Sequence, residues 1–366
     1  MKACVEGVGR NDTTLWELTP ALRLERLARE QGLEPGDADD VVLVNLDFVF
    51  DPAWLRLAAA EPNRIIARCG IPVLARVPPE SREEVRRAME EGRAAAAPSG
   101  VAVADWVSFG EVENRTLRKR ERPFMERLTR ASRPAIERLS YNASYKGVTD
   151  VLTKYLWPEW AFHLTRLAAK LGVSPNAVTT LGALLCALAG VAFWHGWYWS
   201  GIAAGLMFMV LDTVDGKLAR CTITSSWWGN VFDHGIDLVH PLLWWWAWAE
   251  GLHEYGRPLE PNMFAAAMIV LVAGYVVQRA IEGAFILRFG IHIHVWRPID
   301  SHFRLVTARR NPNMVILVVA LALGRPNDGL LAVAAWTALS CLFHFVRLVQ
   351  AWLAWARGGT IESWLA

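Results

Sequence analysis

The sequence has five cysteines, Cys4, Cys69, Cys186, Cys221 and Cys341, and no two of them form a Cys-x-x-Cys pair. That spacing gives no sign of a disulfide framework or a thiolate zinc site. Three of the five lie in or beside apolar segments, where a thiol behaves as a small hydrophobe. An excess of one charge is also missing. A net charge of +2 over 366 residues is far from the basic balance of a polyanion binder, so no nucleic-acid partner is expected. The opening MKACVEGVGRNDTT lacks the apolar stretch of a signal peptide, which predicts a cytoplasmic N-terminus. No internal repeat or low-complexity tract stands out.

Apolar residues are abundant: 53% of the chain is hydrophobic, with 19 tryptophans and a mean hydropathy of +0.21. They are unevenly spread, with charged residues crowding the first 170 positions. Residues 1–110 read as a small soluble α/β domain. Helical apolar spacing covers 21–33, a β-rich run covers 41–50, two short strands flank a Gly-Ile-Pro turn within 64–77, and a second helix covers 81–97. This alternation predicts a βαβ-type sheet. Residues 111–173 form a basic linker with amphipathic helices. The Arg/Lys-dense 113–133 is expected to be helical, either solvated or drawn to an anionic leaflet. Residues 157–172 set Trp, Phe, Leu and Ala against His163, Arg166 and Lys170, the pattern of a helix lying in a membrane interface.

Six apolar runs follow, at 177–199, 201–219, 229–249, 263–287, 314–324 and 328–352. The fifth is short for a bilayer and needs its flanks to span. Arginine and lysine collect on alternate loops, which predicts that both termini and the loops 218–228 and 288–313 face the cytoplasm of a multi-pass inner-membrane protein. The expected fold is an α-helical integral membrane bundle of six transmembrane helices plus an interfacial helix. It occupies 174–357 and follows the α/β N-terminal domain.

The second run leads into Asp212-Thr-Val-Asp215-Gly216-Lys-Leu-Ala219-Arg220, and the third opens with Gly229-Asn-Val-Phe-Asp233-His-Gly-Ile-Asp237. On helices, Asp212 and Asp215 share one face, and so do Asp233 and Asp237. Bare carboxylates within a bilayer are costly, about 2.5–3.5 kcal/mol each at a helix centre. Two divalent cations would cancel the four charges, and an all-oxygen set favours Mg²⁺ or Mn²⁺ over zinc. Gly216 and Gly229 allow close approach of helices or of a nucleotide, and Arg220 offers a planar fork to phosphate.

These residues resemble the signature of the CDP-alcohol phosphotransferases, Asp-x2-Asp-Gly-x2-Ala-Arg-x8-Gly-x3-Asp-x3-Asp, and every fixed position is present. The likeness extends over 140–357. The resemblance implies transfer of a substituted phosphate group from a CDP-activated donor to an alcohol acceptor, with release of CMP, in phospholipid or inositol-phosphate-type biosynthesis. It implies that Asp212, Asp215 and Asp233 bind two metal ions, with Asp237 as general base sharing a metal. Gly216, Ala219, Arg220 and Gly229 would hold the CDP part. Membrane lipid is an expected partner, and a homodimer is an open option. A cation-coupled transporter is the alternative from another class.

A second polar cluster lies in loop 288–313, which carries five arginines and His292, His294 and His302. It reads either as topology anchors with surface histidines or as a pocket for an acceptor phosphate, with Arg304, Arg309 and Arg310 as candidates. A His-x-His metal site lacks an evident third ligand. Arg279 and Glu282 are spaced to pair with each other. Lys146-x3-Asp150 resembles a segment of family members that handle inositol phosphates, which adds Lys146 to the acceptor candidates. Residues 42–59 resemble the middle of sugar nucleotidyltransferases, with Asp47 near their metal aspartate. The glycine-rich loop that should open such a domain is absent, which predicts a structural rather than active domain; a bifunctional enzyme with a live cytidylyltransferase is the alternative.

Overall fold

The structure is a computed structural model that describes residues 4–36, 40–95 and 97–366. The N-terminal region alternates β1 (Cys4–Val8), α1 (Pro20–Glu30), β2 (Glu34–Pro35), β3 (Val41–Asn45), β4 (Phe48–Phe50), α2 (Pro52–Ala60), β5 (Arg64–Arg68), β6 (Ile71–Arg76), α3 (Pro79–Glu91) and β7 (Ala102–Asp105). Among the described residues six strands form one mixed sheet in the order β2-β1-β3-β6-β5-β7. The parallel pair β1 and β3 is the expected βαβ element. Val42, Leu43, Ile65, Ile66 and Leu74 fill its centre without exposure. Helices α1 and α2 are opened by caps: Thr19 accepts from Leu22 N–H, and Asp51 accepts from Ala53 N–H, each followed by proline at the first helical position.

Several boundaries differ from the sequence reading. The run 41–50 is two strands in different sheets. The turn before β6 is Cys69-Gly70, with Gly70 at φ +81°, and Ile71 and Pro72 already lie in the strand. Helix α3 stops at Glu91 because Gly92, at φ +63°, ends it in the left-handed conformation. The expected helix ran to 97 and so crossed residue 96, outside the described residues.

The expectation of a helix over 113–133 is overturned. That stretch holds β8 (Val112–Asn114), β9 (Lys119–Glu121) and β10 (Met125–Arg127). Pro123 bars a continuous helix, and β10 pairs antiparallel with β4. Asp51 N–H donates to Phe124 O at 2.9 Å, and the Trp54 indole donates to the carbonyls of Pro123 and Phe124 at 3.2 Å.

Helix α4 (Arg133–Ala143) packs under Trp16, whose indole donates to Ser140 Oγ at 2.8 Å. After a π-helical turn, α5 (Trp157–Lys170) buries Trp157, Ala161, Phe162, Thr165 and Ala168. It exposes Trp160, Leu167 and the following Leu171, the expected two-faced pattern.

The bundle consists of α6 (Pro175–Trp194), α7 (Tyr198–Cys221), α8 (Trp227–Glu254), α9 (Pro261–Phe289), α10 (Pro298–Arg304), α11 (Arg310–Ala322) and α12 (Pro326–Ala356). Each expected apolar run overlaps a helix, but the first, 177–199, runs past the end of α6 through the turn at Gly196 (φ +69°) into α7. Among the described residues α6, α9 and α12 are long and apolar enough to cross a membrane by length and composition, while α11 is shorter. Their outward faces are aliphatic, with Leu181, Leu184, Leu188, Ile269, Leu339 and Leu342 exposed. These features fit an integral membrane protein.

Candidate active site

The α7–α8 hairpin brings the four aspartates together. Ser226 caps α8 by accepting from Gly229 N–H at 3.0 Å, which fixes where that helix starts. A Cβ on Gly229 would lie 2.9 Å from Asn176 Oδ1, so glycine lets the first turn of α8 close on the first turn of α6. A Cβ on Gly216 would lie 3.1 Å from Arg220 Nη2, so glycine leaves room for that guanidinium to fold back along α7.

Candidate ligand oxygens of Asp212, Asp233 and Asp237 lie within 4.8 Å of one another. Asp215 lines the same small space beside Asp212 and Asp233. It is turned toward α6, where Thr179 Oγ1 donates to Asp215 Oδ2 at 2.6 Å. Asp237 is the most open of the three paired acids, its side chain 43% exposed against 34% for Asp233 and 16% for Asp212. Arg310, at the start of α11, donates to Asp212 Oδ2 at 2.5 Å and to Asp237 Oδ1 at 2.6 Å. The donor set is all oxygen, is crowded with negative charge and contains no thiolate. It fits hard divalent cations.

Beside the aspartates opens a polar cavity of about 350 Å³. Arg220 and Lys217 of α7, Lys146, Arg304, Arg309 and Arg310 line it, as do Arg118 and Arg279. Lys146 and Asp150 enter through the loop before α5. Asp150 accepts from Asn311 Nδ2 at 2.8 Å and from Thr153 Oγ1 at 2.8 Å. Burial alone would raise its pKa, but Arg304 and these donors hold it below its usual value. Burial, reinforced by Arg118 and Arg220, pushes Lys146 down to about 8. Burial and the neighbouring Arg309 also lower Arg304.

Arg309 is engaged elsewhere. Its Nη2 reaches the Glu282 oxygens at 2.5 and 2.6 Å, and the Arg279–Glu282 pair expected from spacing is present at 3.2 Å. His294 and His344 stand beside Glu282, but Arg309 Nη2 also lies 3.4 Å from His294 Nε2. The guanidinium thus occupies the approach to that trio. His302 faces outward, bonded to Pro298 O at 2.8 Å. Asp47, in the N-terminal domain, pairs with Arg127 at 2.9 Å.

The sequence reading missed Arg118, Arg279, Lys217, Thr179 and Asn311 as cavity or site residues. Thr179 was within reach, since it closes the Ser174-Pro175-Asn176 opening of α6. Arg118 was hidden by the mistaken helix. A separate, apolar groove of about 1190 Å³ runs between α6 and α8 past Trp194, Trp228 and Leu243, and His240 lines both it and the polar cavity.

A helical bundle with this carboxylate hairpin matches one family model. CDP-alcohol phosphatidyltransferase aligns over residues 172–356, half of the chain, and the protein belongs to this family. It is 32% identical over 115 residues to cholinephosphotransferase 1 of Gallus gallus, covering 28% of this chain and 34% of the relative. It is 38% identical over 68 residues to phosphatidylinositol phosphate synthase of Cutibacterium acnes, covering 18% and 32%. For the Streptomyces avermitilis protein of the same name the values are 32% over 111 residues, 30% and 42%. The matches thus span well under two thirds of these relatives' own lengths.

Proposed function

We propose that this protein catalyses transfer of a substituted phosphate group from a CDP-linked donor to an alcohol, releasing CMP. The convergence of Asp212, Asp215, Asp233 and Asp237 beside a cation-lined cavity carries this reading. The acceptor oxygen forms a bond to the donor phosphorus distal to cytidine, and the bond to the CMP oxygen breaks. Asp237, the most open carboxylate, takes the alcohol proton. We assign Gly216, Ala219 and Gly229 to the CDP part, and Arg220 offers it a guanidinium whose Nε lacks a hydrogen-bond partner among the described residues. Two ions, Mg²⁺ or Mn²⁺, would be held by Asp212, Asp215 and Asp233, with Asp237 sharing one; when bound they stabilise charge on the pyrophosphate and the departing CMP.

The cation-rich wall of Lys146 and Arg304, beside Arg309 and Arg310 that are already paired with Glu282 and with Asp212 and Asp237, supports a phosphorylated acceptor, inositol phosphate and glycerol phosphate being the first to test. The apolar groove between α6 and α8 supports a lipid tail on the donor. The six helices α6–α9, α11 and α12 cross the membrane with both termini and the site on the cytoplasmic side, and α5 lies in the interface. The N-terminal domain is structural.

The experiment is CMP release by purified protein with Mg²⁺, a panel of CDP-alcohols and a panel of acceptors. Release that needs both substrates and stops on chelation supports the transferase. Cation flux in vesicles without any CMP release would move the reading to a transporter.

A further inference from the structure

Arg118 is placed in the cavity by a segment outside the family-matched stretch. It sits at the end of the β8–β9 turn with φ +50°, a conformation that side-chain-bearing residues adopt only when their surroundings enforce it. The enforcement is visible. Leu117 N–H donates to Asn114 Oδ1 at 3.0 Å, and Leu117 O accepts from Gly147 N–H at 2.8 Å. A Cβ on Gly147 would lie 2.6 Å from Lys119 Cβ and 2.7 Å from Arg118 O. Lys119 Nζ donates to Ala143 O at 2.5 Å. The turn is therefore locked against the loop that carries Lys146.

The charge around Arg118 is unbalanced. Arg118 lines the cavity with Lys146, Arg304 and Arg309 and has no hydrogen-bond or ion-pair partner among the described residues. Arg304 is 7% exposed, yet its Nε and Nη1 are buried without a partner. The nearest acids are committed: Glu282 to Arg309 and Arg279, Asp150 to Asn311 and Thr153. Burial, with Arg309 adding repulsion, lowers Arg118 to about 10. Like charges held together with unused donors favour an anion that accepts several charge-assisted hydrogen bonds.

We propose that the β8–β9 turn completes an acceptor-phosphate subsite, in which Arg118 and Arg304 fork onto a phosphomonoester and select phosphorylated alcohols over their free forms. This rests on the transferase reading above and deepens it.

The test uses full-length protein, Arg118→Gln, Arg118→Lys and, as a control, Arg115→Gln in the exposed part of the same turn. Acceptor kinetics are measured with inositol phosphate against inositol and glycerol phosphate against glycerol. Arg118→Gln is expected to raise the acceptor KM for the phosphorylated form by about tenfold or more, the size expected for losing a charge-assisted hydrogen bond. Donor KM stays near wild type, Arg118→Lys recovers part of the loss, and Arg115→Gln behaves as wild type. An unchanged acceptor KM, or an equal rise in donor KM, overturns the proposal. Thermal melting with added inorganic phosphate and with inositol phosphate supplies a second readout that needs no turnover. Stabilisation of wild type but not of Arg118→Gln supports the subsite even if no acceptor pair yields CMP. Equal stabilisation of both, or of neither, rejects it.

Discussion

Arg310 and Asp212 face each other as a fork, with Nη2 2.5 Å from Oδ2 and Nη1 3.3 Å from Oδ1, and the same Nη1 reaches Asp237 Oδ1 at 2.6 Å. One cation from α11 thus ties the two carboxylate-bearing helices together at the oxygens that would hold metal. The sequence alone offers Arg310 as a topology anchor or an acceptor-phosphate candidate in a basic loop and gives no sign of these two carboxylate partners.

That geometry has two separable consequences. Arg310→Lys keeps the charge but loses the fork, so turnover should fall by about tenfold or more, the worth of a bidentate charge-assisted contact. Arg310→Ala also removes a competitor for the Asp212 and Asp237 oxygens. Half-saturation by Mg²⁺ should therefore occur at lower concentration, although turnover falls further. A magnesium titration of CMP release on the three proteins checks both effects. A higher magnesium requirement in the alanine variant would mean that Arg310 orients the carboxylates instead of competing for them.

The aspartates divide by role. Asp212→Asn, Asp215→Asn and Asp233→Asn should each reduce activity by about a hundredfold or more, since each removes a charge the cations need. The proteins should still purify as folded species. Asp237→Asn should lower kcat with donor binding nearly intact, because proton removal matters in the transition state. Steady-state kinetics with an independent measure of nucleotide binding distinguish these outcomes. Near-normal turnover in any of the first three at saturating Mg²⁺ removes that residue from the metal site.

The parts legible in advance were those fixed by local spacing. Asp212, Asp215, Asp233 and Asp237 announce themselves because i, i+3 and i, i+4 steps put carboxylates on shared helix faces. The apolar runs announce α6 to α9, α11 and α12 by their length, whereas α10 falls in the stretch 288–313 expected to be a loop. Illegible were contacts made across long sequence separations. The strands β8 to β10 are only three residues each, too short to show alternation, and β10 owes its shape to β4 some 75 residues away. Arg118 and Arg279 enter the cavity only because distant segments converge there.

Two arginines of the N-terminal region bond to the end of α7, where the aspartate-bearing hairpin turns. Arg26 Nη1 donates to Thr222 O at 2.6 Å and Arg23 Nη1 to Cys221 O at 3.3 Å, just past Arg220. Ile223, at φ +51°, packs against the domain's core. These guanidinium donors satisfy carbonyls that the end of α7 leaves open, and they complement its negative dipole end. Arg23→Ala with Arg26→Ala should cost about 2–4 kcal/mol, at 1–2 kcal/mol per contact, and should reduce turnover several-fold. Thermal melts and CMP release test this. A melting temperature equal to wild type would show that the domain rests on the hairpin without supporting it.

Lys146 gives the proposed acceptor site a pH signature. Burial, with Arg118 on the β8–β9 turn and Arg220 on α7 adding repulsion, lowers it to about 8, while Asp212 and Asp233 pull the other way. Below that value Lys146 is a cation and attracts the acceptor's phosphate. As pH rises through about 8 it loses its proton, so the acceptor KM should climb from pH 7.5 to 9.5 by up to about tenfold per unit, the limit for one proton. An unphosphorylated acceptor should lack this rise, and Lys146→Met should flatten the profile at a uniformly weak KM. Stability should move oppositely. The folded pKa lies below the ordinary lysine value, near ~10.4, so between about 8 and that value the unfolded chain binds the extra proton. Stability then rises with pH across the window, because the cost of burying the charge disappears. Acceptor kinetics and chemical denaturation of wild type and Lys146→Met at matched pH values measure both slopes. Identical profiles in the two proteins would exclude Lys146 as the titrating group.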